Sequence, residues 1–307
     1  MFKLQELTGV LPALISPLRS DGKVDEAAVT RLVEHMVQGG VHGLLALGST
    51  GETASLDETA RRAIVSRVVT AAAGRVPVIC GVAQSHLSAA RGEVEAAARR
   101  GAAAALVAPP FYYLIDQLTL LAFYRQLAKN SPIPILLYNI PQYTKVVAQP
   151  ATVAALAGEG TIAGMKDSSR DFEYFEAVSI ATRDMPAFRL FTGSDTMLLP
   201  SLVMGGAGTI CGAANVAPRW IVEVYEAFKG DDLVAARAGQ ERVYELVMLL
   251  RAGGVFPATI KAACHLQGIC EPWCAAPVQP LDDQLEARLR DRLEAWGLLT
   301  PAIPHQG

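Results

Sequence analysis

The sequence predicts an α/β fold, a TIM (β/α)8 barrel with a C-terminal helical extension, on three observations. Eight short apolar or β-branched runs alternate strictly with eight stretches of helical period, which demands parallel pairing through right-handed crossovers. The 307 residues accommodate one closed barrel of about 250 residues plus an appendage. The competing doubly wound open sheet lacks its nucleotide fingerprint, because Ile15-Ser16-Pro17-Leu18 stands where Gly-x-Gly-x-x-Gly would follow the first strand.

Taken in order, Leu11–Leu18 reads as the first strand, and Asp21-Gly22 as a turn. Val29, Leu32, Val33, Met36 and Val37 then line one helix face that stops at Gly39-Gly40. Gly43–Leu47 is a strand, and Ser55 with Glu58 forms a capping box for a helix to Ala73. The unit repeats: a strand over Val76–Cys80 and a helix over His86–Arg100, then a strand over Ala104–Ala108 and a helix over Leu118–Lys129. Pro134–Leu137 is a strand followed by a helix through Val153 and Leu156. Ile162–Met165, Arg189–Phe191 and Ala207–Ile210 complete the strands, with helices over Phe172–Ala181, Met197–Met204 and Trp220–Phe228. Beyond these, Val243, Leu246, Val247 and Leu250 share a helical face, and no linker composition intervenes. Residues 1–230 are therefore expected to form the barrel domain and residues 231–307 a helical subdomain packed on it.

Composition narrows the partners. Lys and Arg total 27 against 30 for Asp and Glu, with no basic run, so no nucleic acid and no anionic membrane partner is expected. No apolar run approaches the roughly 20 residues that span a bilayer. The stretch after Lys3 carries Pro12 and Pro17 and reads as a strand, not a signal peptide. Five cysteines, Cys80, Cys211, Cys264, Cys270 and Cys274, fit reduced thiols in a cytoplasmic protein.

In barrels of this kind the reactive groups sit at the C-terminal ends of strands. Lys166 ends the sixth strand, in Thr161-Ile162-Ala163-Gly164-Met165-Lys166-Asp167-Ser168-Ser169. Burial favours the neutral form of an amine, the form that imine formation with a carbonyl requires, whereas a strand-capping lysine would point to water. Tyr138 ends the neighbouring fifth strand, in Tyr138-Asn139-Ile140-Pro141, at the same rim. A phenol there can serve as acid and base beside an amine, or can be a core tyrosine satisfied at the rim. The second strand ends in Gly48-Ser49-Thr50-Gly51-Glu52, whose bracketing glycines allow a tight turn that presents consecutive N–H groups to a carboxylate. An ordinary hydroxyl-capped turn reads the same way. Pro109-Pro110-Phe111-Tyr112-Tyr113 follows the fourth strand and suits packing, an oligomer contact or a proton relay.

These four motifs, in this order and at these spacings, resemble the dihydrodipicolinate synthase/N-acetylneuraminate lyase family of class I aldolases, across the barrel and into the C-terminal helices. The resemblance implies that Lys166 forms a Schiff base with a 2-oxo acid, usually pyruvate, and that Tyr138 is the acid–base residue. It implies that Ser49 and Thr50 hold the substrate carboxylate and that Gly193 and Ile210 give backbone contacts. Tyr112 would complete a relay with Thr50 and Tyr138 across a subunit interface, which implies a homotetramer, a dimer of dimers. No cofactor is implied, and the second partner is an aldehyde-type acceptor.

Departures from the family pattern bear on the substrate. Tyr143 stands where genuine dihydrodipicolinate synthases carry an arginine that grips the second substrate, and Lys145 or Arg170 are the cations at hand to replace it. Ser168 and Asp195 match sugar-facing positions of the sialic-acid lyases, but Thr196 and Gly212 replace two of their polar groups. The sequence Gly164-Met165-Lys166-Asp167-Ser168 also resembles 4-hydroxy-2-oxoglutarate aldolases. The expectation is an aldolase or lyase acting on a short 2-oxo acid. The alternatives are a genuine 4-hydroxy-tetrahydrodipicolinate synthase using aspartate semialdehyde and a non-catalytic 2-oxo-acid-binding relative.

No metal site is expected: His35, His42, His86, His265 and His305 are scattered, and Cys264, Cys270 and Cys274 lack zinc spacing. Gly205-Gly206-Ala207-Gly208 precedes its strand, at the wrong end of the barrel for a phosphate site, and reads as a turn. Glu52 is expected at a helix entry or behind the site.

Overall fold

Eight parallel strands in the order β1-β8-β7-β6-β5-β4-β3-β2 make one sheet in the computed structural model, which describes residues 7–254 and 256–299. Lys3, His305 and the outer ends of both expected domains lie outside those residues. The strands are β1 (Gly9–Pro12), β2 (Leu44–Ala46), β3 (Val78–Val82), β4 (Ala104–Val107), β5 (Ile135–Asn139), β6 (Gly164–Asp167), β7 (Arg189–Thr192) and β8 (Gly208–Cys211). The sheet closes where Ala13 bridges Leu45 and the Leu14 N–H donates to the Leu45 carbonyl at 2.9 Å.

The barrel interior and the layer under the helices are two separate apolar clusters. Leu11, Ile79, Leu106, Leu136, Tyr138, Phe191 and Ile210 point inward, while the other faces of the strands pack outward against the helices. Burial on both faces explains why these strands are continuous apolar runs. Each fully buried Leu, Ile or Phe contributes about 1.5–3 kcal/mol.

The surrounding helices are α1 (Glu26–Gln38), α2 (Glu58–Ala72), α3 (Leu87–Arg99), α4 (Gln117–Ala128), the short α5 (Pro141–Thr144), α6 (Pro150–Gly158), α7 (Phe172–Thr182), α8 (Leu198–Val203) and α9 (Pro218–Lys229). Then come α10 (Leu233–Arg251), α11 (Phe256–Leu266) and α12 (Asp283–Ala295). Several helices start on an aspartate whose carboxylate accepts a backbone N–H, among them Asp25 on α1, Asp116 on α4, Asp171 on α7 and Asp232 on α10.

Two boundaries differ from the sequence reading for identifiable reasons. The first strand stops at Pro12, not Leu18, because Asn215 Oδ1 takes the Ile15 N–H at 3.0 Å and pulls the chain off the ladder. The cap of α2 is Asp57, which accepts from the Ala60 N–H at 2.7 Å. Ser55 instead ends a 3-10 turn, Thr53–Ser55. The helix α5, between β5 and α6, had no signal beyond the Pro141 that starts it. Gly205 and Gly206 do form a tight turn into β8, their N–H groups donating to Leu202 and Ser201.

The helices after the barrel are tied to it by side-chain bonds. Gln240 on α10 donates to the Asp195 carbonyl at 3.1 Å and accepts the Leu199 N–H at 2.9 Å. Gln267 donates to the Val216 carbonyl at 2.9 Å, and Arg31 on α1 donates to the Ile269 carbonyl at 2.9 Å.

Candidate active site

Parallel register sets the central pair. Tyr138 is aligned with Lys166 across β5 and β6, so both side chains leave the sheet inward at one level of the C-terminal rim. Lys166 is 3% exposed and its Nζ lies 4.6 Å from the centroid of the Tyr138 ring. The Tyr138 hydroxyl sits 3.4 Å from Ser49 Oγ at the end of β2, across the barrel mouth. Phenol and hydroxyl are thus in reach of one another beside the amine.

One residue farther along, the alternation turns the side chains outward. Asn139 donates to Asp167 Oδ1 at 2.8 Å, and Ser169 donates to the same carboxylate from both its N–H and its Oγ. Burial raises the Asp167 carboxyl above the ordinary aspartate value, and these three donors pull against that shift. This network fixes the β5 and β6 ends from behind. The sequence reading passed over Asn139 and Asp167, although both lie inside the two motifs it singled out.

The Gly48–Glu52 turn is tight, as its two glycines suggest, and left-handed residues stand on either side of its hydroxyls. The left-handed positions are Leu47 (φ 63°) and Glu52 (φ 56°), not the glycines. Gly51 is needed for close approach, since a Cβ there would lie 2.9 Å from the Leu14 carbonyl oxygen. Within the turn the N–H groups of Gly51 and Glu52 donate back to Gly48 and Ser49, whereas those of Ser49 and Thr50 find no partner among the described residues. Glu52 then reaches away from the mouth. Its Oε1 lies 2.5 Å from Nζ of Lys261 on α11 and its Oε2 accepts the Ala275 N–H at 2.6 Å. Lys261, fully buried, also donates to the Trp273 carbonyl at 2.7 Å.

A cavity of about 80 Å³ brings together Ser49, Thr50, Tyr138, Tyr143, Lys166, Ser168, Gly193, Asp195 and Ile210, nine of the ten residues singled out from the sequence. Ile140, Gln142, Arg170, Gly212, Arg251 and Pro257 complete its wall. Arg251 ends α10, and Pro257 belongs to α11; nothing in the strand pattern pointed to either. Gly193 lets Lys166 and Ser168 pack against the β7 end, because a Cβ there would sit 2.6 Å from Lys166 Cε and closer still to Ser168 Oγ. Asp195, buried, accepts the Ala213 N–H at 2.8 Å. Burial raises its carboxyl, opposed by that N–H and by the charge of Arg251. An adjoining cavity of about 360 Å³, lined by Ala83, Phe111, Tyr143 and Val278 among others, opens over the Ser49 and Tyr138 side of the mouth.

The tenth residue, Tyr112, is not there. It is 87% exposed, at φ 87°, with its ring edge-on to Tyr113, and it points out of the chain that carries it. Lys145 is also outside the wall, donating to the Gln142 carbonyl at 3.0 Å. Among the described residues no three His, Cys, Asp or Glu side chains group as metal ligands, and no helix is long and apolar enough to cross a membrane. All five cysteines are free; burial pushes the Cys80 thiol up to about 12.

A closed (β/α)8 barrel with a lysine, a phenol and two hydroxyls converging at its C-terminal rim defines a class of barrel enzymes that act on small molecules at that rim. Comparison with known proteins narrows it. The dihydrodipicolinate synthetase family model matches residues 6–296. The 4-hydroxy-tetrahydrodipicolinate synthase of Salinibacter ruber is 36% identical over 285 residues, covering 92% of this chain and 93% of that enzyme. The enzyme of the same name from Methanothrix thermoacetophila is 35% identical over 294 residues, covering 95% and 98%. Among solved structures, dihydrodipicolinate synthase of Thermotoga maritima superposes with a TM-score of 0.91 at 29% identity, covering 96% of this chain and 100% of that one. The prophage protein YagE of E. coli K12, solved in complex with pyruvate, gives 0.91 at 27% identity, covering 95% and 99%. The chain belongs to the dihydrodipicolinate synthetase family, and it is an enzyme of that family's lyase and aldolase type.

Proposed function

We propose that this protein is a class I aldolase or lyase in which Lys166 forms an imine with a short 2-oxo acid, pyruvate as donor. The observation that carries the reading is the register of Tyr138 beside Lys166, with Ser49 in reach of the phenol. The Lys166 amine attacks the carbonyl carbon, the resulting carbinolamine loses water, and the imine withdraws electrons from the neighbouring methyl group. Loss of a proton there gives an enamine, whose carbon bonds to the aldehyde carbon of the acceptor while the aldehyde oxygen takes up a proton. Hydrolysis of the new imine frees the product and the amine. Tyr138 moves the protons of these steps, and Ser49 and Thr50, with their free N–H groups, hold the donor's carboxylate. The imine itself is the electron sink, so the sequence of steps calls for no metal and no cofactor.

The outward Tyr112 is assigned to a neighbouring subunit's site, where it extends the Thr50 and Tyr138 relay in a homotetramer built as a dimer of dimers. Its exposure beside Tyr113 and Leu114 supports this. Ser168, Asp195, Gly193 and Ile210 shape the pocket around the bound acid, and Tyr143 stands at its entrance. A cytoplasmic location suits the free thiols.

The second reading is a 4-hydroxy-tetrahydrodipicolinate synthase that condenses pyruvate with aspartate semialdehyde, favoured by the names of the relatives. Tyr143, 65% exposed and uncharged, opposes it. Borohydride reduction in the presence of pyruvate tests the shared chemistry: one peptide, that of Lys166, is expected to gain the mass of the reduced imine, and Lys166→Ala to lose the adduct. Absence of the adduct in the wild type refutes the reading and leaves the non-catalytic binder. Efficient condensation with aspartate semialdehyde would favour the synthase.

A further inference from the structure

We infer that the acceptor aldehyde of this enzyme carries an uncharged, apolar group, an alkyl chain or a ring, and that this group lodges in the cavity of about 360 Å³ beside the donor's. This rests on the imine chemistry proposed for Lys166 and adds the class of acceptor to it.

Room decides where the acceptor goes. The cavity at Lys166 measures about 80 Å³ and its neighbour about 360 Å³, so a pyruvate imine takes up the smaller space and the larger stays open for the second substrate. The two spaces meet, since Ser49, Tyr138, Ile140, Tyr143 and Pro257 line both. An aldehyde that reaches the enamine from this side brings its oxygen past the Tyr138 hydroxyl and leaves its substituent in the larger cavity. The enamine carbon bonds to the aldehyde carbon, and the proton lost from the donor's methyl group is matched by the one taken up on the aldehyde oxygen. The product is a 4-hydroxy-2-oxo acid with the apolar group on its hydroxyl-bearing carbon.

The wall of the larger cavity has nothing to grip a charge. Leu47, Ala83, Ala108, Phe111, Ile140 and Val278 give it carbon surface. Glu52 is its one charged residue among the described residues, and both oxygens are taken: Oε1 faces Lys261 Nζ at 2.5 Å and Oε2 accepts the Ala275 N–H at 2.6 Å. Thr144 turns its hydroxyl to the Ile140 carbonyl at 3.1 Å. Tyr143, at the shared edge, brings a ring and no cation. A carboxylate or phosphate moved there from water would lose its hydration with nothing to replace it, whereas every methylene moved there gains from burial. Small-molecule sites have this character, with a mostly apolar lining and volumes of about 300–1,000 Å³. Tyr112 from a neighbouring copy, assigned above to the Thr50 and Tyr138 relay, adds an aromatic edge to this wall and no charge.

The test measures kcat/KM of the full-length protein for condensation of pyruvate with acetaldehyde, propanal and butanal. Benzaldehyde serves as the ring, and succinic semialdehyde and glyceraldehyde 3-phosphate as charged counterparts. In the wild type kcat/KM is expected to rise about fourfold with each methylene, the equivalent of burying one CH₂. Butanal and benzaldehyde are expected to exceed both charged aldehydes by about tenfold or more. Val278→Asp, which sets a carboxylate in the wall, and Ala83→Leu, which narrows it, are each expected to bring butanal down to the level of acetaldehyde. Borohydride trapping of pyruvate reports that each variant is folded with a reactive amine. Wild-type protein that traps pyruvate on Lys166 but shows no gain with chain length overturns the inference whether or not the variants fold, as do variants that trap pyruvate and keep the gain. A charged aldehyde that outruns butanal overturns it. A gain seen only after Tyr112→Ala would mean that a neighbouring copy's ring fills the cavity, and overturns it too. Failure of wild-type trapping removes the imine reading and this one with it.

Discussion

Gly193→Ala is the sharpest probe of how the site is packed. The added Cβ would stand 2.6 Å from Lys166 Cε and 3.1 Å from the Asp167 carbonyl oxygen, and closer to Ser168 Oγ than to either. Ser168 can rotate its hydroxyl away, but Lys166 is 3% exposed and enclosed by its cavity. Carbon pairs rest at about 3.5–4.0 Å, so Cε must retreat by about 1 Å. Overpacking of this kind costs about 1–3 kcal/mol of stability. In a chain of 307 residues each kcal/mol lowers the melting temperature by about 1.5 °C. A misplacement of about 1 Å in a reacting group costs about 100-fold in rate. The assay is the rate of borohydride trapping of pyruvate, read beside a thermal melt, with Ser168→Ala in the Gly193→Ala background as a control. That second change removes the hydroxyl clash but leaves the clash with Lys166, so it is expected to recover stability more than trapping. Trapping at the wild-type rate in Gly193→Ala would refute the packing argument.

Three further outcomes follow from the same geometry. Lys261→Met strips the partner from buried Glu52 and is expected to cost about 3–5 kcal/mol in urea unfolding, with much of the loss regained in Glu52→Gln/Lys261→Met. Tyr138→Phe keeps the ring beside Lys166 but removes the hydroxyl proposed to carry protons, and is expected to slow turnover with pyruvate about 10²–10⁴-fold with an unchanged melt. Because burial raises the Asp195 carboxyl above 3.8, its contribution is most favourable below that pH and is lost as pH rises through the raised value. Wild-type stability relative to Asp195→Asn is therefore expected to decline from pH 4 upward in urea titrations, and a difference that grows with pH would contradict the assignment of burial as the dominant cause.

The alternation of strands and helices was legible because parallel strands buried on both faces are uninterrupted apolar runs, and because helix stops fall on glycines such as Gly39 and Gly101. Strand ends were less legible. The apolar run continues past Pro12 to Leu18, and what ends β1 is Asn215, a residue some two hundred positions away whose side chain takes the Ile15 N–H. The same limit applies to the site. Ser49, Tyr138 and Lys166 each lie in a motif that ends a strand, so barrel topology alone brings them together. Arg251 and Pro257 reach the mouth only because α10 and α11 fold back over it, and no local pattern records that return. The glycines of Gly48–Glu52 were legible as allowing a tight turn, whereas the positive φ of Leu47 and Glu52 leaves no mark in the composition.

That division has a physical consequence for how the site is built. The groups around Lys166 stand on strand ends fixed by parallel ladders and by the Asn139–Asp167 bond, so their spacing is set by the barrel itself. The groups at the entrance come from loops and appended helices whose position depends on a few side-chain ties: Glu52 to Lys261, and Gln240 to Asp195 and Leu199. Glu52 closes the turn that carries Ser49 and Thr50, and Lys261 lies one turn of helix beyond Pro257, so one buried ion pair joins the Ser49 and Thr50 side of the cavity to the helices that supply its far wall. A chain that kept the ladders while changing those ties would keep the lysine, the phenol and the hydroxyls in place and alter what can approach them. The residues around Lys166 and those at the entrance can therefore change separately in this fold, with Arg251 and Tyr143 on the side that is free to change.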